Sequence, residues 1–260
     1  MASNDNVKIR LFWLEQSRSQ RILWLLEELK LPYELEIFHR DKVTMLADPE
    51  LKKVHALGKS PVISITSSES SQPLIIAESG FIVEYLLDRF SNGNTLLPKR
   101  YGEDDAVKVG SETEQWMRFK YFLHYAEGSL MTLMLLGLFT SKIKNSPVPF
   151  FIKPIVNVIS SKIRSSYLDE NFKTHFTFLE NQLATSPNEG KYLCGPNLTG
   201  ADILMSFPLI AAKEAFPLTG LEEKNYPNLF NYIIALEKEP GYQKAAQKII
   251  EIEGKFSAVL

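Results

Sequence analysis

The chain has 260 residues, 45% of them hydrophobic and 23% charged, which excludes wholesale disorder and allows one large domain or two smaller ones. Its 29 basic and 31 acidic side chains leave a formal charge of −2, so no overall field gathers phosphate backbones and nucleic acid is excluded as an expected partner. A single cysteine, Cys194, rules out an internal disulfide and a Cys-x-x-Cys redox motif and fits a reducing compartment, with the cytoplasm as the expected address.

Met1 to Asn6 is polar and has no apolar run after a basic start, so no signal peptide is expected. Val7 to Leu14 is nearly continuous in apolar residues, with Ile9, Leu11 and Trp13 on one face and Phe12 and Leu14 on the other, which is the pattern of a buried strand. After polar Gln16 to Gln20, the residues Ile22, Leu25, Leu26 and Leu29 recur at helical spacing until Pro32 closes the segment. Tyr33 to Phe38 reads as a second strand, so the chain opens with a βαβ unit whose strands are parallel. A weak helix near Thr44 to His55 follows. Pro61 to Ile65 and Pro73 to Ala77 then make a hairpin around the serine-rich Thr66 to Gln72. A helix from Glu78 or Ser79 carries Ile82, Tyr85, Leu86 and Phe90 on one stripe and ends at the Ser91-Asn92-Gly93-Asn94 breaker.

Leu96-Leu97-Pro98 is the natural linker. Beyond it strand patterns stop, and helices are expected near 103–144, 150–184, 200–215, 226–238 and 240–252. The apolar stretch Gly128 to Thr140 is shorter than the roughly 20 residues that span a bilayer, and it reads as a buried helix. Peripheral association with an intracellular membrane, through this stretch and Val148 to Ile152, is the alternative address. Leu198-Thr199-Gly200-Ala201-Asp202-Ile203 has the form of a capping box with a hydrophobic staple, a folding motif, and Cys194 just before it reads as a core filler. His39, His55, His124 and His175 are scattered without metal-ligand spacing, and no metal is expected.

The order βαβ, a Gly58-Lys59-Ser60-Pro61 turn, a hairpin, Ala77-Glu78-Ser79-Gly80 and an all-helical remainder resembles the cytosolic glutathione S-transferase superfamily over almost the whole chain. Within it the chain is most similar to fungal and bacterial members that open with Ser-Arg-Ser-Gln-Arg, here Ser17 to Arg21, followed by Leu-Leu-Glu-Glu-Leu, here Leu25 to Leu29. The resemblance implies an α/β plus all-α fold. A thioredoxin-like βαβ-ββα domain over residues 5–92 would bind glutathione, and an all-helical domain over 101–254 would carry the electrophile site. It implies a glutathione transferase with glutathione as co-substrate and small hydrophobic electrophiles as partners, assembled as a two-fold homodimer. Reduction of organic hydroperoxides would use the same activated thiolate. The disulfide reductases of the superfamily use a cysteine near the first helix, and this chain has none there. A non-catalytic interaction or assembly module is the competing reading.

A free glutathione thiol has a pKa like the ~8.5 of cysteine, so the protein must favour the anion. Ser17 combines a hydroxyl donor with the positive end of the first helix and is the catalytic candidate. Ser17 to Gln20 also reads as a capping box, with Ser17 accepting from the Gln20 amide and Gln20 reaching back. The roles are compatible, since a hydroxyl has one proton to give and lone pairs that still accept. The register leaves Arg18 or Ser19 as alternatives facing the thiol, and Arg18 is a candidate glutathione contact. By resemblance Pro61 is a cis-proline, and the backbone of Ser60 pairs with the cysteinyl part of glutathione. Lys59 is a candidate for a glutathione carboxylate. Glu78 is a candidate for the α-ammonium, and Ser79 with its helix amides for the γ-glutamyl carboxylate. The electrophile is expected against Trp116, Phe119, Tyr121 and Tyr125, with His124 nearby. The chain departs from the superfamily pattern in three places. His55-Ala56-Leu57 precedes the Gly-Lys turn, Arg18 is bulky beside the thiol, and the 137–165 region, with Pro147, Pro149 and Pro154, is long for the family.

Overall fold

The structure is a computed structural model that describes residues 7–68, 72–91, 93–102 and 108–258. The first domain runs β1 (Val7–Leu14), α1 (Ser19–Glu28), β2 (Tyr33–Phe38), α2 (Leu51–Val54), β3 (Val62–Ser67), β4 (Leu74–Ala77) and α3 (Ser79–Phe90). Its sheet has the order β2-β1-β3-β4. β1 is parallel to β2 from Ile9↔Tyr33 to Leu14↔Phe38 and antiparallel to β3 from Val7↔Ser67 to Phe12↔Val62, while β3 is antiparallel to β4 from Val62↔Ala77 to Ile65↔Leu74. This is the βαβ-ββα arrangement expected. The alternation in β1 divides the core as read: Ile9, Leu11 and Trp13 join the main core with Ile22 to Leu26, whereas Phe12 and Leu14 pack with Phe38, Leu51 and Val62 in a second cluster. The helix expected at Thr44 to His55 is only the single turn α2. Residues 69–71 of the hairpin loop and Asn92 of the breaker lie outside the described residues.

The second part is helical: α4 (Glu114–Tyr125), α5 (Thr132–Lys144), α6 (Lys153–Ile163), α7 (Asp169–Ala184), α8 (Gly200–Glu214), α9 (Phe216–Thr219), α10 (Pro227–Glu237) and α11 (Pro240–Glu253). Wide π-type turns at Ala126–Met131 and Arg164–Leu168 join α4 to α5 and α6 to α7. The helix expected from residue 103 starts at Glu114. Thr113 has extended backbone and its side chain accepts from the Trp116 amide, an N-cap that fixes the start; residues 103–107 lie outside the described residues. The continuous helix Glu114–Lys144 has 31 residues and a mean hydropathy of 1.3 in its most apolar window, enough by length and composition to cross a membrane, and half of that window is buried in the protein.

The two parts share the main core. α1 packs on α8 and α11, and α3 on α8. Gly200 allows this approach, because a Cβ there would lie 2.5 Å from Leu87 Cδ1 and 3.0 Å from Val83 Cγ1 of α3. The Thr199–Asp202 capping box is formed, and the buried Asp202 carboxylate also accepts from the Leu193 amide at 3.1 Å and the Tyr232 hydroxyl at 2.6 Å. Burial still pushes the Asp202 pKa up. Cys194 is buried beside it, and burial together with the Asp202 charge raises its thiol pKa well above the ordinary value, as befits an inert core side chain.

Candidate active site

The sheet register gathers one end of the first domain. Phe12 lies opposite Val62, and Val62 opposite Ala77. The turn after β1, the residues before β3 and those after β4 therefore emerge side by side, bringing Ser17, Ser60-Pro61 and Glu78-Ser79 to one edge. The Ser60–Pro61 peptide is cis, and the Ser60 hydroxyl donates to the Phe12 carbonyl at 2.8 Å. Lys59 is exposed and makes no ion pair among the described residues. Glu78 is exposed and holds φ 71°, ψ 116°, a conformation that costs a non-glycine residue of order 1–3 kcal/mol and that clusters at ligand-binding sites. Ser79 is the first residue of α3, where backbone amides have no partner within the helix.

Ser17 is buried, and its hydroxyl belongs to a compact knot. Ser17 Oγ donates to the Leu14 carbonyl at 2.8 Å, accepts from the Ser19 amide at 3.2 Å and lies 2.7 Å from Ser19 Oγ. Ser19 Oγ can donate to the same Leu14 carbonyl, at 3.1 Å, and it accepts from the Leu14 amide at 3.1 Å. The expected capping box does not form. α1 starts at Ser19 with Arg18 as its cap, so Ser17 stands one residue too early and its oxygen meets the Ser19 amide instead of that of Gln20. The Gln20 side chain is buried, and neither of its amide atoms has a hydrogen-bond partner among the described residues. Arg40 fixes the same turn from the β2 side, with hydrogen bonds to the Glu15 and Gln16 carbonyls at 3.2 Å each.

Above α1 the helical domain contributes Glu127. Its Oε2 accepts from Arg18 at 2.6 Å and its Oε1 pairs with Arg21. Arg21 is fully buried. Burial lowers its pKa to about 10 against the opposing pull of Glu127, which leaves it charged at neutral pH. Its second partner comes from an irregularity in α8. Pro208 has no N–H for the carbonyl four residues earlier, Leu204, and Arg21 donates to that carbonyl at 2.6 Å.

The aromatic residues of α4 do not converge on this edge. Phe119 is core, and Tyr125 is buried against Phe122, Phe178 and His175, with its hydroxyl 2.5 Å from His175 Nδ1. Tyr121 is half exposed and stacks on Tyr125. Trp116 stacks under Arg100 at 4.6 Å and lines, with Leu97, Phe119 and Lys120, a groove of about 310 Å³ between the domains. His124 is exposed. The row that meets the first domain is instead Lys120, paired with Glu84, and Leu123, beside Gly80, on α4, continued by Glu127 in the π-type turn. The 121 and 125 positions are thereby turned to α7.

The chain matches the family profile "Glutathione S-transferase, N-terminal domain" over residues 17–89 and "Glutathione S-transferase, C-terminal domain" over 151–246. It is 34% identical over 248 residues to Glutathione S-transferase 1 of Saccharomyces cerevisiae, covering 95% of this chain and 98% of the relative. The chain belongs to the glutathione S-transferase family. A solved glutathione S-transferase from Actinobacillus pleuropneumoniae is 30% identical and superposes with a TM-score of 0.64 over 93% of this chain and 92% of its own. A glutathione transferase of Phanerochaete chrysosporium, solved with oxidized glutathione, shares the fold at 17% identity and a TM-score of 0.65, covering 98% and 100% of the two chains. The N-terminal glutathione S-transferase match begins at Ser17 and contains Ser60, Pro61, Glu78 and Ser79, whereas α4 and α5, with Glu127, fall between the two matches. Glu127, Pro208 and Arg40 are not among the candidates the sequence offers, and Arg21 enters there only as the end of the Ser17–Arg21 motif. The available signals were two charges out of place, Arg21 within the apolar stripe of α1 and Glu127 at the head of an apolar run, and a proline inside α8.

Proposed function

We propose that this member of the glutathione S-transferase family holds glutathione along the β1, β3 and β4 edge and presents its thiolate to hydrophobic electrophiles. The convergence of Ser17, cis Ser60–Pro61 and Glu78-Ser79 through the strand register is the observation that carries this reading. Glutathione is an extended zwitterion. The Ser60 backbone offers its cysteinyl part a strand-like partner, the amides of α3 with Ser79 offer the γ-glutamyl carboxylate donors, and Glu78 offers the α-ammonium an acceptor. Lys59 and Arg18 are cations at the same edge for the remaining carboxylate. Ser17 then turns its proton from Leu14 O to the sulfur while Ser19 Oγ takes over that carbonyl, so no buried acceptor is left unpaired. The Ser17 oxygen continues to accept from the Ser19 amide, and the positive end of α1 adds to the field that favours the anion. The thiolate attacks the electrophilic carbon, a C–S bond forms, and the leaving group departs with its electron pair. Organic hydroperoxides are a second expected electrophile class, because they need the same nucleophile.

We also assign a two-fold homodimer. Support comes from exposed apolar side chains on both domains, Leu74, Ile75 and Phe81 on the first and Met117 and Tyr121 on the second, beside the Glu84–Lys120 pair that joins α3 to α4. A cytoplasmic setting suits one buried cysteine and a reduced thiol substrate. Calorimetric titration of glutathione, followed by turnover with a chloronitroaromatic, tests the reading: saturable binding and conjugation are expected, and binding without turnover on that electrophile or a hydroperoxide would return the assembly module.

A further inference from the structure

Residues 137–165 fold into a tip whose apolar side chains face outward. On α6 Ser160 is the one buried side chain, at 2% exposure, while Ile155, Val158 and Ile159 are exposed at i, i+3 and i+4. Phe139 and Ile143 are exposed on α5. The turn joining the helices presents Phe150 at 88% and Phe151 at 65% exposure, ring edge against ring face. Large apolar groups on a water-facing helix, with a serine turned to the protein, invert the usual pattern of an amphipathic domain helix.

The charge of this segment is one-sided. Between Glu127 and Asp169 the sequence contains no acidic residue and five basic ones, Lys142, Lys144, Lys153, Lys162 and Arg164, in a chain whose net charge is −2. Lys153 binds the Lys144 and Ser146 carbonyls at 2.8 and 3.2 Å and ties the tip together, and Arg164 pairs with Asp169. Lys142, Lys144 and Lys162 are exposed and form no ion pair among the described residues.

We propose that the α5–α6 tip is a docking surface for anionic phospholipid bilayers, with Phe150, Phe151 and the outward row of α6 entering the headgroup boundary and the three lysines meeting lipid phosphates. Apolar side chains ringed by cations, with no acid among them, match the chemistry of that surface, where shallow insertion and electrostatic attraction add. A second copy is the poorer occupant, because a two-fold contact would set this cationic patch against itself. The glutathione site lies on the sheet edge of the other domain, so the inference is independent of the transferase chemistry.

The test is flotation of the full chain with vesicles of phosphatidylcholine alone or with about one-third phosphatidylserine, at low and high salt. The chain is expected to float with the anionic vesicles, to be released by salt and to ignore the neutral ones. Phe150→Ser with Phe151→Ser should lose at least tenfold in binding, and Lys142→Glu or Lys144→Glu about fivefold or more each. All should keep wild-type circular dichroism and conjugation of a water-soluble electrophile, and Val158→Asn replaces the phenylalanine pair if that variant misfolds. Absence of flotation at low salt, equal binding to neutral vesicles, or unchanged binding by the apolar variants overturns the proposal. So does concentration-dependent self-association that the phenylalanine variant abolishes without any vesicle binding, which would assign the tip to a second copy.

Discussion

Glu127 gathers two arginines, one of which is enclosed by protein. Removing one partner of a buried pair leaves the other charge uncompensated, which costs about 3–5 kcal/mol. Glu127 keeps 26% of its side chain exposed, so the lower part of that range applies. Glu127→Ala should therefore destabilise the protein by about 3 kcal/mol in urea unfolding, with KM for glutathione rising as Arg18 loses its anchor. An unchanged midpoint would mean that the Leu204 carbonyl alone suffices for Arg21. The residue scale is also where sequence was least informative. The partnership of Arg21 with Leu204 depends on a proline 187 positions along the chain, and local spacing carries no trace of it. The Ser17 capping box failed for a similar reason: the motif allows two helix starts one residue apart, and the bonds of Ser17 and Ser19 with Leu14 choose between them.

At the scale of elements, alternation in β1 and the helical stripes of α1 and α3 were legible because their periods report burial directly, and the Thr199–Asp202 box was legible because all its partners are local. The start of α4 was not, since Thr113 is one of several polar residues before Glu114, and only its bond with the Trp116 amide marks it as the cap. Nor was the facing of α4, because an aromatic row at helical spacing fits either a pocket or a core, and contact with α7 puts Phe122 and Tyr125 in the core. That contact has a pH signature. Burial lowers the His175 pKa below its ordinary 6.5, so the unfolded chain takes up a proton first as pH falls. The neutral-imidazole contribution is fully present above pH 6.5 and is lost as pH drops through that value toward the lower folded pKa. His175→Gln should flatten the stability profile in this window, measured as urea midpoints across pH, and a slope equal to wild type would place the titrating group elsewhere.

For the whole molecule, the βαβ-ββα order and the all-helical remainder were readable from the sequence, whereas the way the halves join was not. The join rests on close approach at Gly200, on the Arg21 contact to α8, and on the Glu127 clamp, each formed between residues far apart in sequence. Phe81→Glu should move the proposed dimer toward monomer in sedimentation velocity, because it sets a carboxylate against its own copy across a two-fold axis. A wild-type monomer, or a dimer indifferent to this change, would remove that face as the interface.

In the proposed mechanism the Ser17 hydroxyl turns from Leu14 to stabilise a glutathione thiolate. The direct measurement is the pH dependence of conjugation to a chloronitroaromatic, wild type against Ser17→Ala, with glutathione binding and folding verified for both. A hydrogen bond to a charged group is worth about 1.5–3 kcal/mol, so the variant should lose about 10- to 150-fold in kcat/KM, and its kinetic pKa should rise toward the ~8.5 of a free thiol. An unchanged rate and an unchanged kinetic pKa in Ser17→Ala would rule out this role for Ser17 and transfer thiolate stabilisation to Arg18, Ser19 or the amides of α1.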